Sequence, residues 1–261
     1  MTTVTSYPNG VPSWTDLATP DTAAARAFYG ELFGWSFDED ETGETGYIMC
    51  TKNGHSAAGM MTLSDEMAAS GMPPVWSSYV TVSNIDDAAA KVEGAGGTVM
   101  QPPMEVMDAG RMAVLADPAG AVICMWEPKE HIGAEVVNEH GALTWNELMT
   151  PDPAAVAPFY AEVFGWTSQT MPMPSGDYTV FFVEGGNENG IAGAMKPPME
   201  GMPAFWGVYF HVDDAAATVE TAKGLGAQVM MEATAMEGVG TLAAMSDPTG
   251  AMFSVMTPEA S

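Results

Sequence analysis

Residues 14–21, Trp-Thr-Asp-Leu-Ala-Thr-Pro-Asp, and residues 28–35, Phe-Tyr-Gly-Glu-Leu-Phe-Gly-Trp, decide the fold because the chain repeats them. Residues 145–152 read Trp-Asn-Glu-Leu-Met-Thr-Pro-Asp and residues 159–166 read Phe-Tyr-Ala-Glu-Val-Phe-Gly-Trp, each 131 positions later (145 − 14, 166 − 35). A repeat this faithful in register indicates two copies of one structural unit. The positions at which the copies differ are therefore the first places to look for chemistry.

A finer repeat lies inside each copy. The segment 75–82 and the turn Asp117-Pro-Ala-Gly120 return as 205–212 and Asp247-Pro-Thr-Gly250, 130 positions later (247 − 117). The sequence therefore predicts four modules, at 11–63, 75–127, 142–198 and 205–257.

Each module reads as a strand, a helix and several further strands. In the first module, apolar residues at helical spacing predict a helix from Asp21, its N-cap, to Phe33, ended by Gly34. Asn53-Gly54 is a strong turn signal between two antiparallel strands. We therefore predict an α+β fold, in which four βαβββ modules form two similar domains with curved mixed sheets around clefts.

Length and composition agree with two domains. With 261 residues, 47% of them hydrophobic, the chain can bury two cores, and we expect one core in each half. We place domain one at 1–130, a linker at 131–141 and domain two at 142–261. No apolar run approaches the ~20 residues that cross a bilayer, and the first residues lack the pattern of a signal peptide. We expect a soluble cytoplasmic protein, as a monomer or homodimer.

The charge balance excludes two classes of partner. The chain has 34 acidic and 7 basic residues and a net charge of −27, so nucleic acid and anionic membrane surfaces should be repelled. The partner that remains is a small-molecule ligand. Cys50 and Cys124 have no metal-binding spacing, and we interpret both as core thiols.

These motifs together resemble the vicinal oxygen chelate superfamily, which includes glyoxalase I, the bleomycin-resistance proteins and the extradiol dioxygenases. The resemblance rests on Phe28-Tyr29 before Leu-Phe-Gly-Trp35, its copy at 159–166, and the turns at 117–120 and 247–250. Four modules and His131-Ile-Gly in the linker look closest to the actinobacterial two-domain glyoxalase-like proteins. That group includes a mycobacterial culture-filtrate antigen, and its members are often labelled hydroxylases.

The resemblance also implies where a divalent metal would bind, with His and Glu ligands from the first and last strands of paired modules. None of the matching positions holds a His or a carboxylate, and the fourth position of each half falls in 57–63 or 191–195, which offer no ligand either. We therefore expect no cofactor, and a divalent metal has no support from the sequence. The positions that match the superfamily's other three metal ligands are Trp14, Ser77 and Cys124 in the first half and Trp145, Gly207 and Ser254 in the second.

Two carboxylates are candidate catalytic groups. If Trp14 faces the cleft, strand alternation puts Asp16 on the same face, and it puts Glu147 beside Trp145. Each carboxylate is either a general acid/base or hydrogen-bond acceptor for a ligand, or a structural group that ties down neighbouring donors. His211 replaces Thr81 of the first copy and is a third catalytic candidate, with a satisfied core histidine as the alternative.

Ligand-binding candidates come from the aromatic strands and from one arginine. The aromatic residues that strand alternation places on the cleft side would line a small-molecule pocket, which we expect to be rich in methionine as well. Arg111 either binds a carboxylate or enolate oxygen or pairs with one of the many acidic residues. The candidates for ligand binding are Trp14, Tyr79, Arg111, Trp145 and Tyr209.

Three functions remain open from the sequence. The first, which we favour, is a small-molecule-binding protein that lacks the usual metal ligands and holds an apolar or aromatic metabolite. The second is a metal-independent glyoxalase-like or hydroxylase-labelled enzyme, in which Asp16 or Glu147 works with His211 in proton transfer on a small carbonyl compound. The third is a surface-interaction or antigen-like role. Whether the chain is an enzyme stays open.

Overall fold

The computed structural model describes residues 3–39, 46–69, 71–173, 176–184, 188 and 190–259. Its first half contains one eight-stranded sheet in the order β2-β3-β4-β1-β5-β8-β7-β6. The elements are β1 (Pro12–Thr19), α1 (Thr22–Phe33), β2 (Ser36–Glu39), β3 (Tyr47–Lys52), β4 (His55–Thr62), α2 (Asp65–Ala69), β5 (Val75–Thr81), α3 (Ile85–Val92), β6 (Thr98–Val106), β7 (Gly110–Ala116) and β8 (Val122–Pro128).

The second half repeats this sheet, in the order β10-β11-β12-β9-β13-β16-β15-β14. Its elements are β9 (Ala142–Met149), α4 (Pro153–Phe164), β10 (Thr167–Met173), β11 (Gly176–Phe182), β12 (Ala192–Met195), β13 (Phe205–His211), α5 (Ala215–Gly224), β14 (Gln228–Met236), β15 (Gly240–Ser246) and β16 (Met252–Pro258). The predicted α+β fold of two similar domains is confirmed.

Modules within one half join edge to edge. Strand β1 pairs antiparallel with β5, the first strand of the next module, and parallel with β4 of its own module. Strand β9 makes the same two pairings with β13 and β12. Module one therefore pairs with module two in a single sheet, and module three pairs with module four.

Helix α1 shows how the repeated stretch folds. The Asp21 side chain accepts a hydrogen bond from the Ala24 amide, and Gly34 ends the helix in the left-handed conformation with φ 70°. A residue with a side chain would be strained there, so both signals work as the sequence predicts. The apolar stripe of α1, which includes Phe28, Tyr29 and Phe33, is fully buried.

The expectation of one core per half is wrong. One core combines residues of module one, such as Phe33, with residues of module four, such as Phe253. The other core combines module two with module three, for example Ile85 with Phe159. The helices of each half lie on the sheet face that meets the other half, so neither half completes its core alone.

Matched hydrogen bonds join the halves. Tyr29 donates to Asp247 Oδ2 (2.9 Å), and its counterpart Tyr160 donates to Asp117 Oδ2 (2.8 Å). Trp76 donates to the Tyr29 hydroxyl and Trp206 to the Tyr160 hydroxyl, both at 2.9 Å. These aromatic residues and the two Asp-Pro turns therefore build the interface between the halves.

The face of each sheet opposite its helices is here called the cleft face. On β1, Leu17 packs into the core shared with module four, whereas Trp14 packs with Tyr79 and Cys124 in a separate cluster on the cleft face. None of the helices in the described ranges is long and apolar enough to cross a membrane.

Candidate functional site

A carboxylate network lies on the cleft face of the first sheet. The indole N–H of Trp14 donates to the Tyr47 hydroxyl (3.0 Å), and Tyr47 donates to Asp16 Oδ2 (3.3 Å). Tyr79 donates to the same oxygen at 2.8 Å. Strands β1, β3 and β5 supply these residues, so the sheet itself holds them in place. The side chains of Asp16 and Trp14 share one face, as alternation predicts.

The second sheet carries the same network. Trp145 donates to the Tyr178 hydroxyl (3.0 Å), and Tyr178 donates to Glu147 Oε1 (2.8 Å). Tyr209 donates to Glu147 Oε2 at 2.6 Å. The structure therefore joins three residues predicted for this half's site, Trp145, Glu147 and Tyr209, and the unpredicted Tyr178 in one hydrogen-bonded chain.

The two networks differ by one methylene group. Glu147 is long enough to give each tyrosine its own oxygen. Asp16 uses Oδ2 for both tyrosines, and its Oδ1 is buried without a hydrogen-bond partner. Ser77 stands directly opposite Asp16 and is near enough to lower the pKa of its carboxyl, yet no hydrogen bond reaches Oδ1.

A glycine makes room for the linking tyrosine in each half. A Cβ added at Gly59 would overlap the Tyr47 hydroxyl, and one added at Gly193 would overlap the Tyr178 hydroxyl. Gly59 lies beside Asp16 in the parallel register of β1 and β4, as Gly193 lies beside Glu147. Any larger residue would push the phenol away from its carboxylate.

Burial tunes the acidity of these groups. Asp16 is 2% exposed, and burial raises its pKa from 3.8 to about 6, against the opposing effect of the hydrogen bonds from Tyr79 and Tyr47 and of the nearby Ser77 side chain. Burial also raises the pKa of Glu147, with Tyr209 and Tyr178 acting in the opposite direction. A buried carboxyl that titrates near neutrality is well suited to exchanging a proton.

The linker covers the first network. His131 packs edge-on against the Trp14 ring, with 4.4 Å between ring centroids, and its backbone oxygen accepts from the Trp126 indole (2.7 Å). Ala134 is fully buried and its amide donates to Ser13 O (2.8 Å). The linker therefore forms a wall of the first cleft.

The second cleft is more open. Trp145 is partly exposed, whereas Trp14 is 3% exposed. Ser254 and Met256 on β16 are likewise partly exposed, whereas the matching residues of β8, Cys124 and Trp126, are buried.

A surface depression of about 620 Å³ lies over the linker wall. It does not reach either carboxylate. His131 lines the depression and packs against the Trp14 ring, and Ala109 lines it and packs against the cluster around Trp14. The other lining residues include Val4, Ser56, Met107 and Glu135.

Arg111 is not brought to a cleft. Its guanidinium makes two hydrogen bonds to Asp86 (2.8 and 3.0 Å) and lies 3.4 Å from both Glu105 and Glu127. Its neighbours on β7 explain this, because Met112 packs on the cleft face and Arg111 points to the helix face. The ligand-binding prediction for Arg111 is therefore corrected to the alternative, an ion pair.

His211 is not brought to Glu147. On β13 the residue opposite Glu147 is Gly207, four residues before His211, which separates the two by roughly 13 Å along the strand. His211 instead lies near His140, Glu139 and Asp213, and burial is the largest influence on its pKa, lowering it. The pairing of Glu147 with His211 in proton transfer is therefore corrected.

The positions that the resemblance assigns to metal ligands do not fit a divalent metal. Within the described ranges, no group of three or more His, Cys, Asp or Glu side chains could hold a metal ion. Cys124 is the single sulfur ligand among those positions, and burial raises the pKa of its thiol, which favours the protonated form that binds metals poorly. The Asp16 carboxylate of the same sheet already accepts hydrogen bonds from Tyr47 and Tyr79.

Sequence reasoning missed three residues of these clefts. Tyr47 and Tyr178 stand 131 positions apart (178 − 47), so the repeat offset that aligned Trp14 with Trp145 could have found both. His131 carries no such signal, because only the folded path of the linker places it on Trp14.

Comparison with known proteins agrees with this architecture. Residues 12–125 match the glyoxalase/bleomycin resistance protein/dioxygenase superfamily, and residues 142–256 match the glyoxalase-like domain. The chain therefore belongs to the glyoxalase/bleomycin resistance protein/dioxygenase superfamily.

Two relatives cover nearly the whole chain. A Mycobacterium tuberculosis protein named "Putative glyoxylase CFP32" is 43% identical over 254 residues, which is 97% of this chain and 96% of that protein. The anthracycline biosynthesis protein DnrV of Streptomyces peucetius is 34% identical over 269 residues, covering 97% and 95%.

Solved structures share the fold at low sequence identity. The 2,3-dioxygenase LapB from Pseudomonas sp. KL28 superposes with a TM-score of 0.66 at 16% identity, covering 97% of this chain and 94% of that one. The Mn(II)-bound glyoxalase from Novosphingobium aromaticivorans also gives 0.66, at 15% identity, covering 95% and 82%. At these identities the likeness concerns the fold alone.

Proposed function

We propose that this protein binds a small, largely aromatic or apolar molecule on the cleft face of its sheets, without a divalent metal at the superfamily's usual position. The observation that carries the proposal is the duplicated network of tryptophan, two tyrosines and a carboxylate. Aromatic walls with one polar group at the centre are the usual composition of a small-molecule pocket. Met49 and Met112, packed beside Trp14, add adaptable apolar surface.

The carboxylates favour a neutral ligand. The chain carries a net charge of −27, and Arg111 is held by three acidic side chains on the other face of its strand. An anionic ligand would therefore meet repulsion in either cleft with no arginine to offset it. A neutral molecule that offers a hydrogen-bond donor matches the acceptors present.

A second candidate function is metal-independent proton transfer on a small carbonyl compound. It is supported by the raised pKa of Asp16, to about 6, because a general base works best with a pKa near the working pH. Glu147 would serve in the same way in the second cleft. His211 has no part in this version, since it does not meet Glu147.

The proposal is tested by ¹⁹F NMR of protein labelled with 5-fluorotryptophan. Phe substitutions at Trp14 and Trp145 assign the two cleft resonances, and a set of small neutral aromatic compounds is then titrated in the presence of a chelator. We expect saturable shifts of the Trp14 or Trp145 resonance, with Trp76 and Trp206 in the inter-half cores serving as internal controls. Shifts confined to Trp76 and Trp206, or no saturable shift, would contradict the proposal.

A further inference from the structure

Both copies of the network bury a carboxylate, but only one of them leaves an oxygen without a partner. Asp16 Oδ1 is buried and accepts no hydrogen bond, whereas both oxygens of Glu147 are used by tyrosines. An unpaired buried carboxylate oxygen is costly, and a native structure keeps one where something else supplies the donor. The chain therefore has an unequal pair of sites.

A second unpaired atom belongs to a residue that packs against Trp14. Nε2 of His131 is buried without a hydrogen-bond partner, and the His131 ring packs against Trp14. Trp14 thus contacts one of the two residues with an unpaired buried atom, His131, and is linked through Tyr47 to the other, Asp16. The aromatic and sulfur-containing side chains around them are Tyr79, Trp126, Cys124 and Met112.

A surface depression lies next to His131. The 620 Å³ depression is lined by His131 and by residues of the linker, the N-terminal segment and the β6–β7 turn. Because His131 both lines the depression and packs against Trp14, a ligand that reaches Trp14 from the depression has to move this side chain. Such side-chain movements are common when a ligand binds.

We infer that the first cleft, closed by the linker, is a binding site for a neutral aromatic molecule carrying one O–H or N–H donor, which Asp16 Oδ1 accepts. The ring lies against Trp14, and the ligand enters past His131. This inference rests on the proposed function and names the cleft, the acceptor and the ligand class. The second cleft contributes no comparable acceptor, because Glu147 is fully paired.

The test compares p-cresol with its methyl ether, which has the same ring but no O–H donor. Protein labelled with 5-fluorotryptophan reports the site through the Trp14 resonance. We expect p-cresol to shift this resonance saturably and to bind about tenfold or more tightly than the ether, since a hydrogen bond to a charged buried group is among the strong ones. Equal affinities, or saturable shifts at Trp145 with none at Trp14, would overturn the inference.

Substitutions at position 16 separate the acceptor from the pocket. Asp16→Glu copies the second half, where the longer side chain uses both oxygens on tyrosines, so the preference for p-cresol over the ether should fall below about threefold. Asp16→Asn keeps the size of the side chain, but the two tyrosines hold its one acceptor oxygen, so an NH2 group that cannot accept takes the place of Oδ1. The preference should be lost here too, which covers the case in which the glutamate does not fit. Asp177→Glu, at an exposed position on β11, is the matched control and should keep it.

Two further outcomes are informative. Ser77→Ala should leave the preference intact, since Ser77 makes no hydrogen bond to Oδ1; loss of the preference would show that Ser77, not Asp16, recognises the donor. A preference that survives in a folded Asp16→Asn protein overturns the inference while the proposed function stands. If neither compound shifts Trp14 or Trp145, both fail together.

Discussion

The hydroxyl of Tyr29, in the first half, donates a 2.9 Å hydrogen bond to Asp247 of the second half, 218 residues away in sequence. Both groups are buried. The three other donors to Asp247 reach its Oδ1, which leaves Tyr29 as the donor to Oδ2. This bond and its counterpart between Tyr160 and Asp117 hold the halves together at two matched points.

Removing either hydroxyl should therefore destabilise the whole protein. Tyr29→Phe leaves Asp247 Oδ2 buried and unpaired, which costs about 1–3 kcal/mol. Tyr160→Phe should cost a similar amount through Asp117, and because the two bonds share no partner, the double variant should show nearly the sum. Urea unfolding of the three variants measures this. A loss below about 0.5 kcal/mol in both single variants would show that the bonds do not hold the interface.

Gly59 should not tolerate a methyl group. Gly59→Ala forces the Tyr47 ring to move and breaks its bond to Asp16, so we expect a loss of about 1–3 kcal/mol in unfolding free energy. Gly224→Ala is the matched control, since a Cβ there meets nothing within 4 Å and the residue ends helix α5. Thermal unfolding compares the two, and similar melting temperatures would refute the account of the tyrosine's position.

Stability should fall as Asp16 ionises. Its pKa is about 6 in the folded protein, against an unperturbed value of 3.8 that applies to the unfolded chain, so the folded state holds the proton more tightly. The stabilisation that protonated Asp16 adds to the free energy of unfolding is fully present below pH ~4 and is lost as the pH rises through about 6. Asp16→Asn cannot ionise, so its unfolding free energy should decline by about 3 kcal/mol less over this range.

Denaturant unfolding at a series of pH values from 4 to 7 gives this comparison. The other acidic residues repel one another in both proteins, so their effect cancels in the difference. Parallel curves for the wild type and Asp16→Asn would mean that the carboxyl is hydrated and not perturbed by burial.

Arg111 should not affect binding. Since its guanidinium pairs with Asp86, Glu105 and Glu127 on the helix face, Arg111→Gln should leave the p-cresol titration of the Trp14 resonance unchanged. Any loss of stability should shrink as salt is added, because the pairs are at the surface. A weakened titration would bring back the ligand-binding interpretation of this residue.

Local signals in the sequence predicted local structure well. The N-cap at Asp21, the stop at Gly34 and the repeat offsets placed the helix and the modules, because each depends on residues close together in the chain. Strand alternation also put Trp14 with Asp16 on one face, since the side-chain period of a strand is fixed.

Contacts between distant segments could not be predicted in the same way. The pattern on α1 shows that Tyr29 is buried but not that its partner is Asp247 in the other half, and so the cores were assigned wrongly. The same limit applies to the linker, whose place on Trp14 through His131 follows from its folded path and from no periodic pattern. Strand alternation put His211 on the cleft face, but it did not give the distance between His211 and Glu147 along the sheet.

Elemental analysis of the untagged protein tests the central claim most directly. The protein is equilibrated with excess Zn²⁺, Ni²⁺, Mn²⁺ and Fe²⁺ in turn, free metal is removed by gel filtration, and the retained metal per chain is measured. The proposed metal-independent cleft predicts well under one ion per chain, with the p-cresol response of Trp14 unchanged by chelator. One retained ion per chain, with a response that chelator abolishes, would contradict it.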